Sequence, residues 1–107
     1  MTRISAEQDV VTLINVFTAS PEDQQRLVEL LVEATETVIS RQPGYISANI
    51  HTSLDGTQVT NYAQWRSRED FEAMLQIPEA RAHMQETSKL ATIHPQLYEV
   101  AYTHALT

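Results

Sequence analysis

Two strand-like runs, residues 45–53 and 57–66, flank Asp55-Gly56, and this hairpin constrains the fold more than any other stretch of the chain. An Asp-Gly pair between alternating β-formers is a strong short-range turn signal. The second run ends in Asn61-Tyr62-Ala63-Gln64-Trp65, which contains the chain's only tryptophan. Residues two apart on a strand share a face, so Asn61 and Trp65 point the same way, about 13 Å apart. An amide and a large aromatic ring on one sheet face suggest the wall of a small-molecule pocket.

The neighbouring segments supply the rest of the order. Residues 9–18, DVVTLINVFT, are β-branched and apolar on both faces: Val11, Leu13 and Phe17 on one, Val10, Ile14 and Val16 on the other. A strand wet on one side would alternate, so this one is expected to be covered twice. Ser20-Pro21-Glu22-Asp23 opens a helix with a capping residue, an early proline and acids near the positive dipole end. Leu27, Leu30, Leu31, Ala34 and Val38 then recur at helical spacing, and Pro43-Gly44 stops the run. Ser67 begins a second helix through Phe71, Met74 and Leu75, which Pro78 interrupts before a further helical stretch carrying Ala80, Ala82, His83 and Leu90. Residues 96–104 alternate as a last strand, with Tyr98, Val100 and Tyr102 on one side.

The order β-α-β-β-α-β predicts a ferredoxin-like α+β domain spanning residues 1–107, with its core at residues 9–104. Helices on one face of a four-stranded sheet leave the other face bare. Because the first strand is apolar on both sides, that bare face is expected to meet a twin subunit in a homodimeric barrel.

Composition narrows the function. A net charge of -7, with only seven Lys and Arg and no basic stripe, disfavours nucleic acid. No apolar run approaches a membrane span, and the start MTRISAEQDV lacks the apolar core of a signal peptide, so a cytoplasmic protein is expected. With zero cysteines there is no disulfide, thiolate nucleophile or cysteine metal site, and two glycines cannot build a phosphate loop. An enzyme of this kind works without a cofactor or uses one that arrives as substrate.

The odd positions Tyr45, Ser47, Asn49 and His51 are expected to share a face with Val59, Asn61, Ala63 and Trp65, and with Asn15 on the first strand. If that face looks toward the helices, it makes an apolar cavity with Asn15, His51 and Asn61 as sparse polar fittings. The bland readings stand beside this one: each amide satisfies a backbone group, and Trp65 is plain core. Of the four histidines, His94 and His104 read as solvated, while His51 and His83 are candidate bases. Glu79 and His83, one helical turn apart, are two metal-type ligands without a third, and no metal is expected.

The segment PGYISANIHTSLDGTQVTNYAQWRSREDFEAML resembles the middle of the antibiotic biosynthesis monooxygenase family, small dimeric α+β-barrel proteins. The best-known members oxidise aromatic polyketide anthrones to quinones with dioxygen and no metal, flavin or haem. The resemblance implies that Asn61 and Trp65 occupy the pocket positions those enzymes use and that His51 matches a pocket histidine, which makes these three the expected catalytic residues. Asn15, Phe71, Met74 and His83 are expected to line the substrate pocket beside them. On that view His51 takes a proton from a small electron-rich aromatic or enolisable substrate, and Asn61 steadies the enolate that reduces dioxygen. The polyketide enzymes carry a Tyr at the position of Phe71 and an Arg at that of Met84, so two polar groups are missing here; Arg81 lies about one turn away. A haem-degrading branch of the family uses a first-strand Asn, matched by Asn15, and a His ligand within one residue of His83, but has a Trp where this chain has Met74. A non-catalytic dimeric binding module is the third reading.

Overall fold

The computed structural model describes residues 1–106. Strands β1 (Val11–Thr18), β2 (Tyr45–Thr52), β3 (Gln58–Trp65) and β4 (Thr92–Tyr98) form one antiparallel sheet in the order β2-β3-β1-β4. Helix α1 (Gln24–Thr37) connects β1 to β2, and α2 (Arg68–Met74) with α3 (Pro78–Ser88) connects β3 to β4. This is the expected ferredoxin-like α+β order, with its second helix broken in two. The break follows from Pro78, whose missing N–H and fixed φ suit the first turn of a new helix but not the interior of an old one.

Local chemistry sets the element ends. Ser67 caps α2, its Oγ accepting from the Asp70 amide at 3.1 Å. At the start of the first helical segment, Ser20 instead donates its hydroxyl to Asp23 Oδ2 (3.0 Å); Pro21–Asp23 form a 3₁₀ turn, and α1 proper begins at Gln24. The Gln24 side chain donates to the carbonyls of Ser53 and Gln58, at 3.2 and 3.0 Å, tying the helix start to the hairpin loop. In that loop Asp55 Oδ1 accepts from Ser53 Oγ, Thr57 N and Thr57 Oγ1, and Gly56 adopts a φ of +82°. Asp55 is consequently held below the usual carboxylate range, first by the Thr57 hydroxyl and then by that of Ser53.

Two apolar clusters lie between sheet and helices. Phe17, Leu27 and Val59 fill one end; Leu13, Ala63, Trp65, Phe71, Met74 and Ala80 fill the other. The opposite sheet face is partly covered by the chain's own N-terminal segment. Gln64 Nε2 donates to the Arg3 carbonyl at 2.6 Å, and Asn49 Nδ2 donates to Thr2 Oγ1 and to the Tyr62 carbonyl. Thr12 and Gln64, which are register partners, are buried on this face.

Two expectations are corrected. The last strand lies at residues 92–98, not 96–104. It pairs with β1 from Thr18↔Thr92 to Thr12↔Tyr98, and β1 itself begins at Val11, so the later residues have no partner strand to lie against. The second correction concerns β2. Tyr45 pairs with Trp65 but Ser47 pairs with Gln64, so a β-bulge at Ile46 reverses the facing of the rest of the strand. From there Ala48 and Ile50 look toward the helices, while Ser47, Asn49 and His51 look away.

Candidate active site

The space between sheet and helices encloses a cavity of about 190 Å³. Its floor is the helix-side face of the sheet. Asn15 on β1 and Asn61 on β3 are direct register partners at the centre, flanked by Leu13, Ala63 and, beyond Asn15, Pro95 of β4. Direct partners on an antiparallel pair have Cβ atoms about 4.5–5.5 Å apart, so the two amides are neighbours. Each has a buried side-chain oxygen without a hydrogen-bond partner. Buried polar atoms are usually paired, and two orphans side by side on an otherwise apolar surface are costly to the fold.

Trp65 forms the wall at one end. It is 1% exposed, with the Tyr45 ring edge-on at 5.8 Å and the Phe71 ring at 6.0 Å. The Tyr45 phenol is pushed up by burial and so stays protonated, a hydrogen-bond donor at this edge of the cavity. Tyr45 keeps its inward orientation because it precedes the bulge. The turn before it is pinned: Gly44, with a φ of +84°, accepts from Arg66 N at 2.7 Å and lies against Asp70. Asp70 in turn accepts from Arg66 Nε at 2.8 Å and from Ser67 Oγ at 3.0 Å.

The roof comes from the helices. Leu31, Ala34 and Thr35 face in from α1, and Phe71 and Met74 from α2. Ala80, His83, Met84 and Thr87 form the inward stripe of α3, at the i, i+3, i+4, i+7 spacing that puts side chains on one helix face. Met84 is 43% exposed while also lining the cavity, which makes it part of the mouth.

The structure therefore brings six of the seven sequence-derived site residues together: Asn15, Asn61, Trp65, Phe71, Met74 and His83. His51 is the exception. Beyond the bulge it pairs with Thr60 on the helix-free face, where it is exposed and does not line the cavity. Sequence reasoning did not single out Tyr45, Thr35, Thr87, Ile93 or Pro95 as site residues. A signal for two of them existed: Ile93, Pro95 and Leu97 alternate, and they fall on the face of Leu13, Asn15 and Phe17.

The donor set bears on cofactors. Among the described residues, no Arg, Lys, Asp or Glu lines the cavity. Haem propionates would meet no cationic partner there, and Met74 offers no aromatic face to a porphyrin, so these residues do not fit haem. No group of three or more His, Asp or Glu that could hold a metal ion occurs among the described residues. No helix among them is long and apolar enough to cross a membrane.

A four-stranded sheet roofed by helices over an apolar, amide-floored cavity defines an α+β domain built to enclose a small molecule. The antibiotic biosynthesis monooxygenase model matches residues 10–86, and the chain belongs to that family. Over 107 residues it is 42% identical to the tetracenomycin-F1 monooxygenase of Streptomyces glaucescens, covering all of this chain and 96% of that one. Among solved structures, an anthrone oxidase-like protein superposes with a TM-score of 0.85 at 30% identity, over 92% of this chain and 42% of that chain. The ActVA-Orf6 monooxygenase of Streptomyces coelicolor, solved with nanaomycin D, superposes with a TM-score of 0.77 at 27% identity, over 91% and 92% of the two chains.

Proposed function

We propose that this protein is a cofactor-independent monooxygenase that converts an enolisable methylene or phenolic ring carbon of an aromatic substrate to a quinone carbonyl. The observation that carries the reading is the Asn15–Asn61 pair, two adjacent amides with unpartnered buried oxygens in the lining of one apolar cavity that Trp65 also walls. Among the described residues its lining holds no Arg, Lys, Asp or Glu, the groups that phosphoryl transfer and metal-assisted hydrolysis depend on. It is suited to a substrate that does its own redox chemistry once deprotonated.

The balance is R₂CH₂ + O₂ → R₂C=O + H₂O. The methylene carbon gives up four electrons and dioxygen takes all four, one oxygen atom entering the product and the other leaving as water. No external reductant is needed, which supports a reaction without flavin, haem or metal. Loss of a proton generates the enolate, the electron-rich form that passes an electron to dioxygen. Turning a side-chain amide by half a rotation exchanges C=O for NH₂ at one place, so Asn15 and Asn61 can accept from a neutral phenol or donate to the enolate oxygen. Fixed donors in a water-poor cavity stabilise such developing charge more than water does. Trp65, Phe71 and Met74 supply the apolar wall against which an aromatic ring lies. Ligand pockets usually run about 300–1,000 Å³, so this cavity takes one end of a fused-ring compound with the remainder at the Met84 mouth.

We further propose a homodimer through the helix-free sheet face, where half-buried Ile14 and Val16 lie, and a cytoplasmic location, the reading a cysteine-free chain supports. Size-exclusion chromatography with light scattering tests the dimer, a monomeric mass at micromolar concentration counting against it.

The test of the activity is oxygen uptake with the anthrone dithranol, run with a chelator and without added flavin or haem. Uptake with stoichiometric quinone is expected. Absence of uptake, or a Soret band on titration with haemin, would sink the reading.

A further inference from the structure

We infer that His83 is the group that takes the substrate proton and returns it to the peroxide, the role expected of His51 from the family resemblance. The inference rests on the monooxygenase reading above and adds the residue that reading leaves open. Tyr45 and His83 are the two ionisable side chains lining the cavity among the described residues. Burial holds Tyr45 in its protonated form, which makes it a donor and a poor base. His51 stands on the far side of the sheet, beside Thr60. Imidazole is the side chain that both accepts and gives back a proton near neutrality.

Position supports the role. His83 occupies the middle of the inward stripe of α3, between Ala80, which is 1% exposed, and Thr87, which is 4% exposed. Those two buried neighbours fix the helix rotation that sets position 83 over the sheet. The Thr87 hydroxyl is occupied by the His83 backbone carbonyl at 2.9 Å and does not compete for the ring. The roof thus carries the proton acceptor and the floor carries the amides, with the substrate ring between them. No carboxylate lines the cavity to pair with an imidazolium, so the enolate is its counterion, and the two charges attract strongly in an apolar space.

The proton inventory closes. His83 removes a proton from carbon, and the enolate gives one electron to dioxygen. Superoxide then combines with the carbon radical to form a C–O bond, and the imidazolium protonates the resulting peroxide. His83 next takes the second C–H proton as the O–O bond breaks; the leaving hydroxide receives that proton and departs as water, and the C=O bond is complete.

Two readouts on one set of proteins test this: oxygen uptake with dithranol, and anaerobic exchange of the dithranol methylene hydrogens in D₂O followed by NMR. His83→Gln is expected to lower kcat by about 10²–10⁴-fold with KM little changed, and to abolish protein-dependent hydrogen exchange. His83→Ala is expected to lose the same activity and to regain part of it with added imidazole, a recovery that a misfolded variant cannot show. His83→Gln turning over like the parent overturns the inference, as does persistent hydrogen exchange in His83→Ala that imidazole does not accelerate. A parent protein with neither uptake nor exchange refutes the monooxygenase reading itself, whereas a parent active in both with an unaffected His83→Gln refutes only the role of His83.

Discussion

Asn15 and Asn61 face each other across the β1–β3 ladder; both line the same apolar cavity, and each has a buried amide oxygen without a hydrogen-bond partner. Sheets rarely tolerate this. An unsatisfied buried acceptor costs about 1–3 kcal/mol, and the marginal stability of a small domain makes two of them expensive. Paired amides of this kind are understandable where a substrate hydroxyl donates to them.

Asn61→Ala is therefore expected to separate stability from catalysis. If Asn61 steadies the developing oxyanion, kcat falls by about 10²–10³-fold. Thermal unfolding should hold or rise, because the substitution removes an orphaned acceptor rather than a bond. Normal turnover on dithranol would reduce Asn61 to a strand amide, and a large drop in melting temperature would make it structural.

Trp65 should behave in the opposite way. It is sealed between Tyr45 and Phe71 and makes the largest fully buried side chain of its cluster. Trp65→Ala leaves a hole that costs about 3–5 kcal/mol, which lowers the melting temperature by something on the order of 10–20 °C in a domain of this size. Trp65→Phe preserves an aromatic wall and is the variant whose kinetics are informative. Differential scanning calorimetry of both checks the ranking; equal melting temperatures would show that Trp65 is not part of the core.

Much of this site was legible in the sequence, and the failures have physical causes. Leu13, Asn15 and Phe17 on β1, and Asn61, Ala63 and Trp65 on β3, follow the period of two without interruption, so counting alone puts them on one face. The helix stripes are legible for the same reason at a period of 3.6. On β2 the count fails, because one extra residue at Ile46 exchanges the two faces from Ser47 onward, and Tyr45-Ile46-Ser47 carries no glycine or proline to mark it. The bulge lies next to tertiary contacts among Gly44, Arg66 and Asp70, which distance along the chain conceals. The end of β4 is likewise decided by where β1 begins, not by the alternation of Tyr98, Val100 and Tyr102.

The ion pair at that junction should shape the acid limb of stability. The Arg66 hydrogen bond, followed by that of Ser67, holds the Asp70 carboxyl below its ordinary range. A depressed carboxyl pKa means that the unfolded chain binds the proton more readily. The contribution is thus fully present above the ordinary carboxylate range near pH 4 and is lost as pH falls through the lower folded value. Asp70→Asn should lower the urea midpoint at pH 6 and converge with the parent toward pH 3. Parallel curves across that interval would show that the pair contributes nothing to folding.

The two glycines offer a paired test of the same junction. Gly44 and Gly56 have nearly equal positive φ values, +84° and +82°, so an alanine at either site meets similar backbone strain, about 1–3 kcal/mol. Their surroundings differ. At Gly56 an added Cβ meets only Pro21 Cβ at 3.6 Å, an ordinary contact, whereas at Gly44 it would run into the Cβ, Cγ and Oδ2 of Asp70. Asp70 has little freedom to retreat, because Arg66 Nε and Ser67 Oγ hold the same oxygen. Gly44→Ala should therefore be distinctly less stable than Gly56→Ala, and it should also disturb turnover, since the turn at Gly44 leads directly into Tyr45 at the cavity edge. Combining Gly44→Ala with Asp70→Gly should recover part of the loss by removing the collision, because an alanine at position 70 would keep the clashing Cβ. Urea unfolding of the three variants decides the point: equal midpoints for the two single alanines would show that the Asp70 contact is soft and that the junction does not hold the start of β2.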